Sequence, residues 1–487
     1  MIHYSRRSSL EKEKKLNIIL HKVLKKIKPS TEERAKVMLL VKRVLDEIKR
    51  VAEDNNVPCT IEVVGSIAKD TWLSGDRDID VFILFDPSFS IETIKSLGVF
   101  IAREAVTRLG GRVFERYAQH PYIEALINDF RVDIVPAFKV PSVKDMKTPV
   151  DRTPFHTRYV NSRLDSRMRD EVRLLKQFLK GIGAYGAEVK VGGFSGYLAE
   201  LLVIYYGSFL RVLYSAREWK PFNTFIYIER PADLPSIQKL FKGHPLVVLD
   251  PVDPKRNAAA ALTLDKLSEF ISASKLFLEH PSESFFFPRR PTYTKEDLEE
   301  TLATRNSHLL AIHVKCKFTS PDILWSQVYK SLGGLETLLK VHGFKVISKK
   351  AWSDEVENVV LLYELVTLKL PSVERHLGPP VPSDREEEFL KKYVGSEITI
   401  SGPFIEKGRW VVYRKRRYTN AIDLIKYEYD KVRHGVQLLK CLKREFKIYA
   451  DKDIFRLTDI LGKDFINTLC NWLKGRIYWL NIVETKC

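Results

Sequence analysis

Three aspartates in this chain have the spacing of a metal-assisted transfer site. Asp78 and Asp80 open the run DIDVFILF at 78–85, and Asp133 lies within RVDIVP at 131–136. Both segments are apolar runs of strand length. Residues i and i+2 of a strand share a face, so Asp78 and Asp80 project together, and a short hairpin would set Asp133 beside them. Carboxylates gathered on one sheet face repel one another, and burial makes their charge costly unless a cation compensates. Hard oxygen ligands of this kind favour Mg²⁺ or Mn²⁺. The plain alternative is that a DxD at a strand end is a solvated terminus or a turn cap; a third acid recurring in a strand argues against it. Twelve residues before Asp78 stands Gly65-Ser66. A glycine lets backbone approach phosphate, and a serine hydroxyl with exposed N–H groups can hold triphosphate oxygens. Lys69 and Lys176 could add charge there, although a single lysine is commonly a solvated surface residue.

The elements that must position these groups can be read around them. Val37, Leu40, Val41, Val44, Leu45, Ile48 and Val51 recur at helical spacing, which predicts a helix over about 30–53 with Ser30 and Glu33 as a capping box. Cys59–Val64 reads as a strand, Ala68–Trp72 as a short helix or turn, and Ile91–Leu109 as a helix. Tyr122–Ile127 and Phe130–Val135 read as a hairpin turning at Asn128-Asp129. Together they make a small α/β domain ending near residue 150. From about 155 to 280 the pattern is helical, with Val172, Leu175, Phe178 and Leu179 on one face and Tyr197, Leu201, Ile204 and Tyr205 on another. The segment 250–257, DPVDPKRN, reads as a loop and 282–291, SESFFFPRRP, as a boundary, with its three Phe as packing rather than a stacking platform. Beyond it strands and helices alternate, with a Pro-rich break at 377–382. His120, before Pro121, reads as a loop residue.

Composition bounds the partners. The chain has 487 residues, with 80 Lys+Arg against 62 Asp+Glu and a formal charge of +18. A hydrophobic share of 45% excludes a disordered or fibrous chain. The cationic surplus favours a polyanionic partner, nucleic acid first. Cys59, Cys316, Cys441, Cys470 and Cys487 form no CxxC pair and suggest neither a disulfide framework nor a zinc site. The N-terminus is too polar for a signal peptide, and Leu198–Leu213, broken by Glu200, is too short to span a bilayer. A cytoplasmic protein with no membrane partner is expected. Gly408–Tyr418, GRWVVYRKRRY, interleaves cations with rings. Arg409, Trp410, Arg414, Arg416 and Arg417 could meet RNA phosphates and bases; the alternative is an edge strand guarded by charge.

The run GSIAKDTWLSGDRDIDVFILF with the later RVDIVPAF resembles the polymerase-β-type nucleotidyltransferases. RTPFHTRYV at 152–160, LLKQFLKGIGAYGAE at 174–188, GGFSGYLAELL at 192–202, DPVDPKRNAAAAL at 250–262 and SESFFFPR at 282–289 narrow the resemblance to the archaeal, class I CCA-adding enzymes, strongly over about 30–290 and loosely thereafter. The resemblance implies an α+β multidomain fold. A polymerase-β-like head with a mixed sheet and helices would span 1–154, a helical nucleotide-binding neck 155–284, and an α/β body and tail gripping the acceptor and T arms of tRNA 285–487. It implies Asp78, Asp80 and Asp133 as catalytic ligands of two Mg²⁺ ions. Gly65, Ser66, Lys69, Thr153, His156, Lys176 and Tyr185 would line the pocket for CTP or ATP, and Arg256 and Asn257 would contact the base; the plain alternative for Arg256 is a helix-start arginine pairing with Asp250 or Asp253. In the family the position of Asp78 is often Glu and that of Lys69 often Arg, so a bidentate phosphate contact becomes a point charge here. The implied reaction is template-independent addition and repair of the 3′-terminal CCA. Rival readings are a poly(A) polymerase or oligoadenylate synthetase-like transferase, and a non-catalytic RNA-binding protein with a decayed transferase domain. A homodimer is left open.

Overall fold

Strict alternation along DIDVFILF decides the layering of the head. In the computed structural model, which describes residues 2–117, 121–230 and 233–480, this run is a strand whose Ile79, Val81, Ile83 and Phe85 enter one core. Asp80, Phe82 and Leu84 take the opposite face. His120 and Cys487 lie outside the described residues.

The elements to residue 138 run α1 (Ile2–Ile27), α2 (Thr31–Asp54), β1 (Cys59–Val64), α3 (Gly65–Ala68), β2 (Asp78–Phe85), α4 (Ile91–Arg108), β3 (Arg112–Tyr117), β4 (Pro121–Ile127) and β5 (Phe130–Phe138), all but α1 forming the head. Among the described residues the head sheet has the order β1-β2-β5-β4-β3, with β2 and β5 parallel and the other pairs antiparallel. The helix predicted over 30–53 is α2, which packs its Val37, Leu40, Val41, Val44, Ile48 and Val51 with α4 against the sheet. Only half of the expected capping box forms. Ser30 accepts from the Glu33 N–H, while the Glu33 carboxylate accepts from Ser74 and the Gly75 N–H. The expected hairpin is β4–β5, turning through Asn128 and Asp129 at positive φ. Its partner strand β3 and the long helix α1 are additions to the sequence reading.

The helical region contains α5 (Thr153–Arg163), α6 (Ser166–Gly181), α7 (Gly196–Tyr206), α8 (Phe209–Ala216), β6 (Phe225–Tyr227), α9 (Leu234–Leu240), β7 (Val247–Leu249) and α10 (Leu264–Glu279). Val172, Leu175, Phe178 and Leu179 are buried on α6 as expected. On α7 the face is different: Leu198 to Val203 are all buried and Tyr205 is exposed, because helices surround α7 on most sides. Phe285 and Phe286 pack on Phe178 and Phe277, and Phe287 stays partly exposed beneath Lys26. Leu16, Ile19, Val23 and Ile27 of α1, and Trp479, join this helical core rather than that of the head. Among the described residues, no single helix is long and apolar enough to cross a membrane.

Two compact units result, one comprising the chain to Arg290 with the segment from Ile477, the other Pro291–Arg476. The second contains α11 (Lys295–Arg305), β8 (His308–Lys315), α12 (Pro321–Val341), β9 (Val346–Ser353), β10 (Asn358–Leu365), β11 (Val373–Pro380), α13 (Glu386–Tyr393), β12 (Thr399–Glu406), β13 (Arg409–Lys415), α14 (Ala421–Glu428), α15 (Val436–Arg444), β14 (Lys447–Ala450) and α16 (Ile454–Lys474). Its sheets have the orders β14-β8-β10-β9 and β11-β13-β12. The Pro-rich stretch at 377–382 does not break the structure: it ends β11, where the register to β13 shifts between Leu377 and Pro380. The cysteine reading also needs correction. Cys316, just past β8, forms a disulfide with Cys441 on α15, 125 residues away.

Candidate active site

Parallel pairing of β2 with β5 sets Asp80 directly opposite Asp133, and Asp78 opposite Arg131. The hairpin expected to bring Asp133 in is therefore real but lies on its other side, against β4. Gly65 ends β1 and turns the chain at φ +70°. A β-carbon there would lie 1.9 Å from Asp80 Oδ2, so glycine is required by the Asp80 carboxylate as well as by the backbone. Ser66 follows in the first turn of α3, at the same end of the sheet.

Burial pushes the Asp80 carboxyl up, against the pull of Lys69 and with the push of Asp78. Burial likewise raises Asp133, to about 7, with Arg131 opposing and Asp80 adding to it. Asp133 Oδ1 is buried and accepts no hydrogen bond. Among the described residues no three acidic, His or Cys side chains already stand close enough to hold an ion, and Asp78 is paired with Arg131 at 3.2 Å. The donor set still fits a divalent cation: carboxylates short of positive charge, one with an orphaned oxygen.

Lys69 and Lys176, the expected phosphate lysines, are not solvated surface residues. Both are buried and converge on Glu200 of α7. Lys69 Nζ donates to Glu200 Oε2 at 2.5 Å, and Lys176 Nζ donates to Thr71 Oγ1 at 2.9 Å and Glu200 Oε1 at 3.3 Å. Thr71 Oγ1 donates to Glu200 Oε1 at 2.6 Å. Burial pushes the Glu200 carboxyl up, and the two lysines more than reverse it, so it is held ionised. Two cations and one anion leave one positive charge beside the carboxylates. Arg173 of α6 fastens the same loop, bonding the Trp72 carbonyl at 3.0 Å and Asp70 Oδ1 at 2.5 Å. A side chain at Gly196 would come within 3.1 Å of the Tyr185 hydroxyl and 3.5 Å of Lys176 Nζ, so Tyr185 lies beside this cluster. Burial holds its phenol protonated.

A second hub is Asp250, fully buried at the end of β7. Its Oδ2 accepts from His156 Nε2 at 2.9 Å and from Arg256 Nη1 at 2.8 Å, and its Oδ1 from the Tyr197 hydroxyl at 2.9 Å. The His156 and Tyr197 rings stack at 3.9 Å. Burial holds the His156 pKa below its usual value, so the neutral ring donates to the carboxylate. Thr153 opens α5 three residues before His156; just ahead of it, the buried Asp151 carboxylate accepts from the Phe138, Lys147 and Thr148 N–H groups. Asn257 does not present its amide to a base. It is buried, accepting from the Val248 and Ala259 N–H groups and donating to the Leu246 carbonyl. The plain alternative for Arg256, a pairing with Asp250 or Asp253, is met at Asp250, while the roles of Glu200 and Arg173 have no signal in the sequence beyond an acid interrupting the apolar run of α7.

The basic strand of the second unit is a different case. β13 is the middle strand of its sheet, not an edge. Arg409 donates to the Gly378 carbonyl at 2.8 Å, Trp410 Nε1 to Glu386 at 2.6 Å, and Arg414 to Glu374 at 2.8 Å and the Tyr393 hydroxyl at 2.6 Å. Arg416 binds the His342 carbonyl and Glu374, and Arg417, mostly exposed, pairs with Glu428. These cations primarily hold their own unit together.

A nucleotidyltransferase domain matches residues 45–158, the second domain of tRNA nucleotidyltransferases 170–287, and the C-terminal domain of CCA-adding enzymes 305–451, so the likeness reaches well past 290. The CCA-adding enzyme of Methanosarcina barkeri is 40% identical over 455 residues, covering 93% of this chain and 97% of the relative. That of Methanothermobacter thermautotrophicus is 36% identical, covering 92% and 97%, and that of Pyrobaculum aerophilum 38%, covering 87% and 96%. A solved cytoplasmic RNA terminal U-transferase is similar at 16% identity and a TM-score of 0.44, over 56% of this chain and 98% of its own. By identity and coverage, the chain belongs to the CCA-adding enzymes, within the tRNA nucleotidyltransferases.

Proposed function

We propose that this protein builds or repairs the 3′-terminal CCA of tRNA from CTP and ATP, with Asp78, Asp80 and Asp133 as the catalytic carboxylates. The observation that carries the site is the register pair Asp80–Asp133, with its buried oxygen lacking any hydrogen-bond partner. Two Mg²⁺ ions held by these carboxylates would supply charge neutralisation of the triphosphate and activation of the attacking 3′-hydroxyl. The turn at Gly65-Ser66 offers backbone and hydroxyl donors to phosphate oxygens at the same sheet end. The surplus positive charge of the Lys69–Glu200–Lys176 cluster favours a triphosphate beside it. Asp133, on the same face as Asp80, would help take the proton of the 3′-hydroxyl as it attacks the α-phosphate, and pyrophosphate leaves. Arg256, oriented by Asp250, presents the rest of its guanidinium to a base edge, while His156 and Tyr197 brace that carboxylate. The unit Pro291–Arg476 grips the acceptor and T arms.

The test is a sequencing gel on tRNA lacking CCA, given CTP and ATP. Addition of three nucleotides followed by arrest supports the proposal; an open-ended adenylate tail points to a poly(A)-type transferase, and absence of pyrophosphate release to a non-catalytic protein.

A further inference from the structure

The carboxylate face has a cation of its own. The register of β2 on β5 puts Arg131 opposite Asp78 and Asp133 opposite Asp80, so all four side chains project from one side of the sheet. Arg131 Nε lies 3.2 Å from Asp78 Oδ1 and 4.0 Å from Asp133 Oδ1. Two neighbouring charges are already engaged: Glu124, opposite Asp133 on β4, is held by Arg116 at 2.9 Å, and Lys69 by Glu200, while Glu62 of β1 shares the face farther along it. We propose that Arg131 is a resident counter-cation, which holds Asp78 while no metal is bound and competes with the ion that replaces it.

Three features make it a placeholder rather than a permanent partner. Its contact with Asp133 is too long for a hydrogen bond, so it lowers the repulsion without occupying the orphaned oxygen. Its side chain is 53% exposed and can turn into solvent. Asp78, 60% exposed, can follow. A metal that uses Asp78 must displace the guanidinium, so binding of the ion and release of Arg131 are one exchange. Arg131 is thus a positioning residue, tuning metal affinity and preventing the face from splaying when empty. This rests on the reading of Asp78, Asp80 and Asp133 as metal ligands, and the experiment separates the two.

Mn²⁺ affinity is measured on the full-length protein without nucleotide or tRNA, by the electron paramagnetic resonance signal of free Mn²⁺, with circular dichroism to confirm folding. Arg131→Gln and Arg131→Ala are expected to bind Mn²⁺ about three- to fivefold more tightly than wild type, the size expected from a part-exposed ion pair. Arg131→Lys returns toward wild type. The control is Arg77→Gln, which removes a neighbouring cation paired with Asp129 and is expected to change affinity by less than about 1.5-fold. Unchanged or weaker Mn²⁺ binding in the neutral Arg131 variants overturns the proposal, as does an equal gain in Arg77→Gln, which would reduce the effect to net charge. If wild type and Asp80→Asn do not differ in Mn²⁺ binding, the carboxylate reading itself fails and takes this one with it.

Discussion

The carboxylates of β2 and β5 and the arginines around β13 are both rows of charge on strands, and both stand out in the sequence. On β13 the arginines and Trp410 end on carbonyls, carboxylates or a phenol of their own unit. On β5, Asp133 keeps a buried oxygen without a partner, and burial drives its pKa up instead of a neighbour drawing it down. Charge that a fold has already compensated is architecture; charge that it leaves uncompensated marks where a ligand must arrive. The difference can be broken from either side.

The largest effect is expected at Asp80. Asp80→Ala should lower incorporation of both CTP and ATP by at least about 10³-fold, while tRNA binding, measured by filter retention, changes less than about twofold. Retained Mg²⁺-dependent incorporation would remove Asp80 from the site. Next comes the compensated interior. Glu200→Ala strands Lys69 and Lys176 in a buried place and should cost about 3–5 kcal/mol in denaturant unfolding, with a smaller loss for Glu200→Gln. A loss under about 1 kcal/mol would mean that the lysines readily find water.

Gly65→Ala lies between the two regimes. Its new carbon meets Asp80 Oδ2 and its φ is unfavourable, so incorporation should fall about 10- to 100-fold through displacement of the carboxylate, out of proportion to a stability loss of about 1–2 kcal/mol. The uncompensated face should also show in pH. Asp133 has a folded pKa near 7, above the ordinary carboxylate value, so the metal-free fold holds its proton more tightly than the unfolded chain. The contribution of this one group to stability is full at low pH and is lost as pH rises through 7. In thermal melts of metal-free protein, the wild type should lose stability relative to Asp133→Asn as pH rises from 5 to 8. The smallest effect is expected on β13: Arg414→Ala should cost about 1 kcal/mol of stability and change tRNA affinity by less than about threefold. A tenfold affinity loss at unchanged stability would restore this strand as an RNA contact.

What could be read from the chain alone divides along the same line. The apolar runs DIDVFILF and RVDIVP are local signals, so the two strands and the shared face of Asp78 and Asp80 followed from them, whereas the parallel pairing that sets Asp133 beside Asp80 did not. Which group a charged side chain bonds is a non-local matter. Glu200 reads as a flaw in an apolar helix until Lys69 and Lys176 arrive from 131 and 24 residues away. Asp250 and Asn257 sit in one loop motif, yet one orients Arg256 and the other spends its amide on backbone. Cys316 and Cys441 have no spacing that foretells their bond, and the capping-box glutamate was claimed by Ser74 and Gly75.

The most direct measurement of the central claim is single-nucleotide gel analysis of tRNA lacking its CCA end, incubated with CTP, ATP and Mg²⁺, with Asp80→Ala alongside. We expect wild type to add C, C and A and then stop, and the variant to leave the tRNA unextended. An adenylate ladder that continues past the third position, or equal extension by the variant, would contradict it.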